Sequence, residues 1–246
     1  MKKLLLIILG SFMTFGALAQ ENEECSKVQT EVGLESQRIH RGVGYANAPS
    51  IGGKISYRFC DWFTLSSQGI AATTTHDGLT SSLENVATVN KGEFSLSLGD
   101  IYFFYGGSGA DNDYFDYGKE TRHLLNATVK YTKKEGKKSL YYGLVQTTVY
   151  KSETDDNNGV YFEGGYNITK NLQFTAGYVT DASTMNFRSK GGITHVGFNT
   201  ANEVKISSTF KPKVITGIYF NPSYKDVFDV KGLNNNPVQF SVGVLF

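Results

Sequence analysis

The chain lacks the long apolar runs of a helical membrane protein. After Ala19 no such run approaches the ~18 residues that a transmembrane helix requires, and the mean hydropathy of the whole chain is −0.26. Only 2 cysteines and 4 prolines occur among its 246 residues. Two classes remain, a soluble globular domain and a membrane protein built from strands.

An excess of charge of one sign is also missing. The chain has 24 Lys and Arg against 23 Asp and Glu, which provides no basic field for nucleic acid. The histidines, His40, His76, His123 and His195, show no H-x-x-x-H spacing, and no G-x-S-x-G motif occurs. We therefore expect no enzyme, no cofactor, no metal site and no nucleic-acid partner.

The amino terminus has the pattern of an export signal. Lys2 and Lys3 precede an apolar run, and the small residues Ala17 and Ala19 match the positions that signal peptidase reads. The pattern predicts a signal peptide over 1–19 with cleavage after Ala19. The alternative is an uncleaved membrane anchor, for which the apolar run is short.

Glycine and aromatic residues are abundant, and much of the chain alternates between apolar and polar residues. With 27 Gly, 15 Tyr and 17 Phe, this composition favours strands and tight turns. This alternation, with a period of two residues, predicts about twelve strands within 20–246, and most of them are long enough to cross a bilayer when tilted. They cover approximately 27–38, 50–59, 62–75, 80–89, 93–105, 121–132, 139–150, 159–167, 171–181, 193–207, 212–222 and 237–246.

The connections between these strands alternate in length. From a periplasmic amino terminus the even-numbered connections are short turns, and most of the outward ones are longer, which is typical of bacterial outer-membrane barrels. We therefore predict an all-β chain that forms a single closed antiparallel transmembrane β-barrel. Cys25 and Cys60 then lie near each other at the periplasmic end, as a disulfide or as two unpaired thiols.

One face of each strand in such a barrel points into the lumen. Mixed charges there line an aqueous pore or cross-link into a network that fills the interior. Asp100 interrupts the lipid-facing phase of its strand, and we expect a β-bulge to turn it inward. The predicted pore-lining residues are Glu31, Glu35, Lys54, Arg58, Glu93, Asp100, Gln146, Glu163, Glu203 and Lys205.

The last strand ends on an apolar alternation formed by Phe240, Val242, Val244 and Phe246. It resembles the carboxyl-terminal β-signal that outer-membrane barrels present to their assembly machinery. This resemblance implies the barrel-assembly machinery and the lipid bilayer of the outer membrane as partners.

Residues 37–42 (Gln-Arg-Ile-His-Arg-Gly) followed by 48–51 (Ala-Pro-Ser-Ile) resemble the first outward loop of the TorF-like porin family of Gram-negative outer-membrane barrels. Residues 100–102 and 114–117 are also similar. The resemblance implies a porin-like passive channel for small hydrophilic solutes. The alternative is a non-conducting structural or surface-binding barrel.

Overall fold

Strands make up most of the described part of the chain. The computed structural model describes residues 27–45, 48–73, 78–107, 112–136, 138–230 and 233–246. Two short 3-10 helices, Thr184–Asn186 and Tyr224–Asp226, lie in these ranges. The strands are β1 (Val28–Glu35), β2 (Arg38–His40), β3 (Val43–Tyr45), β4 (Ser50–Cys60), β5 (Phe63–Ala72), β6 (Gly78–Lys91), β7 (Phe94–Gly106), β8 (His123–Glu135), β9 (Lys138–Tyr150), β10 (Tyr161–Asn167), β11 (Leu172–Val179), β12 (Gly192–Glu203), β13 (Lys213–Phe220), β14 (Leu233–Asn234) and β15 (Val238–Leu245).

Within these ranges no helix combines the length and the apolar character needed to cross a membrane.

The twelve long strands close into an antiparallel barrel. The order around the wall is β1, β15, β13, β12, β11, β10, β9, β8, β7, β6, β5, β4 and back to β1. Closure comes from the pairing of Leu34 with Val244 and of Gly33 with Leu245. The prediction of a closed twelve-stranded antiparallel barrel is confirmed. The first strand, predicted over 27–38, ends earlier, at Glu35.

The outer surface of the barrel is apolar, as a lipid-facing wall requires. On β7, Phe94, Leu96 and Leu98 are 50–58% exposed, and on β15 Phe240 is 62% exposed. Exposing such side chains to water costs about 25 cal/mol per Å² of apolar area, so a contiguous band of them indicates a membrane interface. Lipid offers no hydrogen-bond partner to backbone N–H and C=O groups, and a closed barrel pairs these groups with each other. The fold is therefore a transmembrane barrel of the outer-membrane type.

The two rims of the barrel differ. One carries both ends of the barrel sequence and the connections 61–62, 92–93, 136–137, 168–171 and 204–212, and we call it the periplasmic rim. The other carries the longer loops, with 73–77 as the short exception. Cys60 ends β4 at the periplasmic rim, whereas Cys25 lies outside the described residues, as does the predicted signal peptide. The disulfide therefore stays a prediction.

The first outward loop is not only a connection, because it contains strands β2 and β3. They form a β-hairpin with a two-residue turn, Arg41-Gly42, in which both residues have positive φ (52° and 79°). The short strand β14 pairs with the other edge of β3. We call residues 38–45 the lumenal hairpin. Such a turn is typical of tight hairpins, whose twist requires positive φ at both central residues.

The lumenal hairpin fills the barrel interior near the extracellular end. Val43 on β3 is fully buried and packs with the inward-facing side chains of β6, β7 and β8. Val227, which directly follows the second 3-10 helix, also belongs to this apolar cluster. The members are Val43, Leu79, Ile101, Phe103, Leu124, Met185, Phe187 and Val227. An apolar core therefore occupies part of the extracellular half of the lumen.

Candidate permeation site in the barrel lumen

Strand register places charged residues on the inner wall. Glu31 on β1 lies opposite Lys54 on β4, and Lys54 lies opposite Gln68 on β5. Their neighbours Val32 and Leu34 are exposed on the outer surface. Because side chains alternate between the faces of a strand, this row runs across the inner wall.

Most of the predicted lining residues have this inward phase. Glu35 lies above Glu31 and forms a salt bridge of 3.2 Å with Arg38 of the lumenal hairpin. Glu203 is the last residue of β12 and is exposed at the periplasmic mouth. The predicted lining residues with inward phase are Glu31, Glu35, Lys54, Arg58, Gln146, Glu163 and Glu203.

Asp100 does not face the lumen, so its predicted inward orientation was wrong. The pairing of β7 with β8 shows no register shift at this residue, and Asp100 keeps the outward phase of Leu98. Its carboxylate instead accepts a hydrogen bond from Tyr117 Oη at 2.7 Å and lies 2.8 Å from His123 Nδ1. No bulge is needed, because a loop covers the charge.

This covering loop crosses the outer surface of the barrel near the extracellular rim, and we call residues 112–122 the outer strap. The Tyr117 ring stacks on His123 with 3.9 Å between centroids, and His123 Nε2 donates to the Tyr114 carbonyl at 2.6 Å. The hydrogen bond to Asp100 raises the pKa of Tyr117 to about 12. The outer strap thereby shields the polar side chains of Asp100 and His123 on the outer wall from lipid.

Two other predicted lining residues lie in turns. Glu93 belongs to the turn after β6, where it accepts from Tyr131 Oη at 2.8 Å and pairs with Lys133 at 3.2 Å. Tyr131 is on the outer face opposite Phe94, so Glu93 is turned away from the lumen. Lys205 follows the end of β12 and is exposed in the turn. Both were wrongly predicted to line the pore, because β7 begins only at Phe94 and β12 ends already at Glu203.

The tip of the lumenal hairpin crosses the lumen, and we call this crossing the constriction. Sequence analysis selected its wall residues Gln146 and Glu163 but not Arg41. Arg41, at the tip of the lumenal hairpin, donates hydrogen bonds to Asn186 Oδ1 and to Gln146 Oε1 on β9. Its guanidinium also lies 3.7 Å from the centroid of the Tyr161 ring on β10. The hairpin therefore reaches across the lumen to the opposite wall.

Glycine is required next to Arg41. A Cβ at Gly42 would lie 2.5 Å from the Thr194 carbonyl oxygen and 2.7 Å from His195 Cβ on β12. The Gly42 carbonyl accepts from Asn221 Nδ2 at 3.1 Å. The hairpin backbone is thus in direct contact with the inner wall. The only sequence signal was the Arg-Gly pair, a weaker hairpin signal than Asn-Gly.

Glu163 provides a carboxylate below the hairpin tip. It accepts hydrogen bonds from Tyr142 Oη at 2.6 Å and from Tyr161 Oη, and His195 Nε2 lies 3.9 Å from it. Tyr161 contacts both this carboxylate and the Arg41 guanidinium. Opposite charges therefore face each other across one tyrosine at the constriction.

Burial controls the ionisation of two groups that hold the constriction. Burial lowers the pKa of His40 well below its usual 6.5, and the charges of Arg41 and Arg38 lower it further. Burial also lowers the pKa of Arg188 to about 10. Arg188 is 1% exposed and donates to the carbonyls of Ser223 (2.6 Å) and Thr194 (2.7 Å), which fastens the loop that contacts the hairpin.

The periplasmic half of the lumen is open and polar. The inward side chains of Glu31, Lys54 and Arg58 are exposed, so water reaches the inner wall. A cavity of about 340 Å³ lies beside Arg38 and is lined mainly by the amides, hydroxyls and charges of β10 to β15. The lumen therefore combines an aqueous vestibule with a constriction at Arg41.

Comparison with known proteins gives similarity of fold. No family model matches the chain, and no curated protein matches it. Solved structures similar to it include a KdgM porin (16% identity, 88% of this chain and 97% of that one, TM-score 0.45). They also include a COG4313 outer membrane channel from Pseudomonas putida F1 (12% identity, 89% and 93% coverage, TM-score 0.38). At these identities the likeness concerns the barrel fold alone.

Proposed function

We propose that this protein is a porin-like passive channel of the outer membrane for small hydrophilic solutes. The observation that carries the proposal is the exposed, charged inner wall of the periplasmic half, at Glu31, Lys54 and Arg58. Among the described residues no salt bridge involves these three side chains. Charges that cross-linked a filled barrel would be paired and buried, whereas these face water.

The lumenal hairpin limits passage through this channel. Arg41 and Glu163 present opposite charges at the constriction, with the apolar cluster on the extracellular side of it. A solute that crosses the barrel has to pass beside the hairpin tip, so we expect a small conductance. Displacement of the hairpin would open the lumen to its full width.

The same proposal covers how the chain reaches its membrane. The signal peptide over 1–19 directs export, and the barrel-assembly machinery inserts the chain after reading the outward alternation of β15, where Phe240 and Phe246 are 62% and 53% exposed. Membership of the TorF-like porin family belongs to this proposal, supported by the residues of the lumenal hairpin and the outer strap.

Planar-bilayer recording tests the channel. Purified barrel, shown to be folded by heat-modifiable mobility on gels, is expected to give small discrete conductance steps. A variant in which residues 38–45 are replaced by a short Gly-Ser linker is expected to give larger steps. Silence from the folded full-length protein would overturn the proposal, whatever the linker variant does.

One observation favours the non-conducting alternative. The cluster around Val43 and Phe103 is apolar and almost completely buried, and a dry apolar plug excludes ions. In that case the full-length barrel is silent, the linker variant conducts, and the outward loops bind a surface partner. The full-length recording alone therefore separates the two functions.

A further inference from the structure

The periplasmic rim carries a ring of exposed lysines. Four of its five turns, together with the strand ends beside them, contribute at least one, namely Lys91, Lys134, Lys138, Lys170, Lys205 and Lys211. Within the described residues no salt bridge involves any of these six, whereas Lys133 pairs with Glu93. Asp61, Glu135 and, at the end of β12, Glu203 are the carboxylates that remain there, so the six lysines outnumber them and the rim is basic.

The opposite rim carries charges of both signs, and several of them are paired. Asp113, Asp116 and Glu120 lie in the outer strap, whereas Lys119 pairs with Glu153, Lys151 with Asp155 and Lys190 with Asp226. Among the described residues, lysines without a salt bridge are therefore more numerous at the periplasmic rim.

The lysine ring lies at the level of lipid headgroups. Large apolar side chains with outward exposure of 44–58% adjoin it, including Trp62, Phe94, Tyr166, Phe210 and Phe246. Aromatic side chains collect at the boundary between acyl chains and headgroups. Lysines just beyond this belt therefore extend their ammonium groups among the headgroups.

We propose that the periplasmic rim is a binding surface for the anionic headgroups of phospholipids in the periplasmic leaflet. An ammonium group on a flexible stem suits a phosphate that diffuses past, since it needs no fixed geometry. The lysines follow the rim from β6 to β13, along eight of the twelve strands, rather than forming one compact patch. This arrangement matches a lipid annulus better than a protein or a polymer, which would dock on one side.

The chain contains its own reporter for this surface. Trp62 is the single tryptophan, is 57% exposed, and its carbonyl accepts from Asn90 N at 2.7 Å, next to Lys91. Quenching of its fluorescence by acyl-brominated phosphatidylglycerol, compared with brominated phosphatidylcholine, measures the relative affinity of nearby lipids. A lysine close to an anionic surface gives at most about a fivefold preference. We expect a severalfold preference for the anionic lipid at low salt, decreasing as salt screens the charges.

A matched pair of variants separates the rim from net charge. The triple variant K91Q/K134Q/K138Q is expected to lose most of the preference for brominated phosphatidylglycerol. The control K119Q/K190Q/K225Q removes the same charge from the opposite rim and is expected to keep it. Heat-modifiable mobility establishes that both variants are folded.

Three outcomes would overturn the proposal: equal quenching by both lipids, a preference that both variants retain, or a preference that salt leaves unchanged. Binding to purified peptidoglycan, if the rim variant lost it while retaining its lipid preference, would assign the lysines to that acidic polymer instead. Channel conductance does not enter the measurement, so the lipid proposal and the channel proposal stand or fall separately.

Discussion

Replacing Arg41 by alanine removes the side chain that fixes the tip of the lumenal hairpin. The guanidinium donates to Asn186 and Gln146 and lies on the Tyr161 ring. A hydrogen bond to a charged group contributes about 1.5–3 kcal/mol, and a cation–π contact about 0.5–2 kcal/mol. Because water in the lumen replaces part of these contacts, we expect a net loss of about 3 kcal/mol.

That loss raises the ratio of displaced to seated hairpin on the order of 100-fold. In single-channel recordings Arg41→Ala is expected to show frequent transitions to a larger conductance. Arg41→Lys keeps the charge but loses the planar fork, so it is expected to fall between wild type and Arg41→Ala.

Lys54→Ala serves as the control. It removes a lumenal charge of the same sign from the vestibule, without touching the hairpin, and is expected to change ion selectivity but not the frequency of the large steps. If Arg41→Ala gave the step size and flicker of the wild type, the reasoning that the hairpin tip closes the lumen would be refuted.

Three further predictions concern the same loops. Asp100→Asn weakens the hydrogen bond from Tyr117 and leaves His123 without its carboxylate, so the outer strap is expected to be cleaved faster by added protease; unchanged cleavage would contradict the strap contacts. Burial lowers the pKa of His40 below its unfolded value near 6.5, so protonation favours the displaced hairpin, in which His40 is exposed. Conductance is therefore expected to rise as pH falls below about 6.5, and the His40→Gln variant is expected to lose this pH dependence. Gly42→Ala forces a Cβ within 2.5 Å of the Thr194 carbonyl and is expected to enlarge the steps, measured in the same bilayer assay.

The barrel could be predicted from sequence because alternation fixes which face of a strand is buried. A slip of one residue moves every side chain to the other face, so continuous runs such as Phe94, Leu96 and Leu98 determine the outward phase without knowledge of the neighbours. The predicted strand ends were less accurate. Glu93 was placed in a strand because the alternation continues into its turn.

The constriction could not be predicted in this way. Arg41 meets Gln146 and Asn186, which are more than 100 residues distant, and no periodicity relates positions so far apart. The orientation of Asp100 was predicted wrongly for a similar reason, because its partner Tyr117 belongs to a loop that folds back over the wall, and no periodicity indicates this contact. An interrupted pattern marks a residue that needs a partner but does not say where that partner is.

The closing seam of the barrel has one more consequence. The ladder between β1 and β15 runs from Gly33 to Glu35, with flanking backbone hydrogen bonds between Val32 and Phe246 and from Ser36 to Val242, whereas β1 pairs with β4 from Val28 to Glu35. A short ladder has few hydrogen bonds to hold the wall together, so forced or thermal separation is expected to begin at this seam. The same seam joins the first strand of the barrel to the last one, so it completes the wall around the lumenal hairpin. The barrel therefore encloses its own constriction behind its shortest strand ladder.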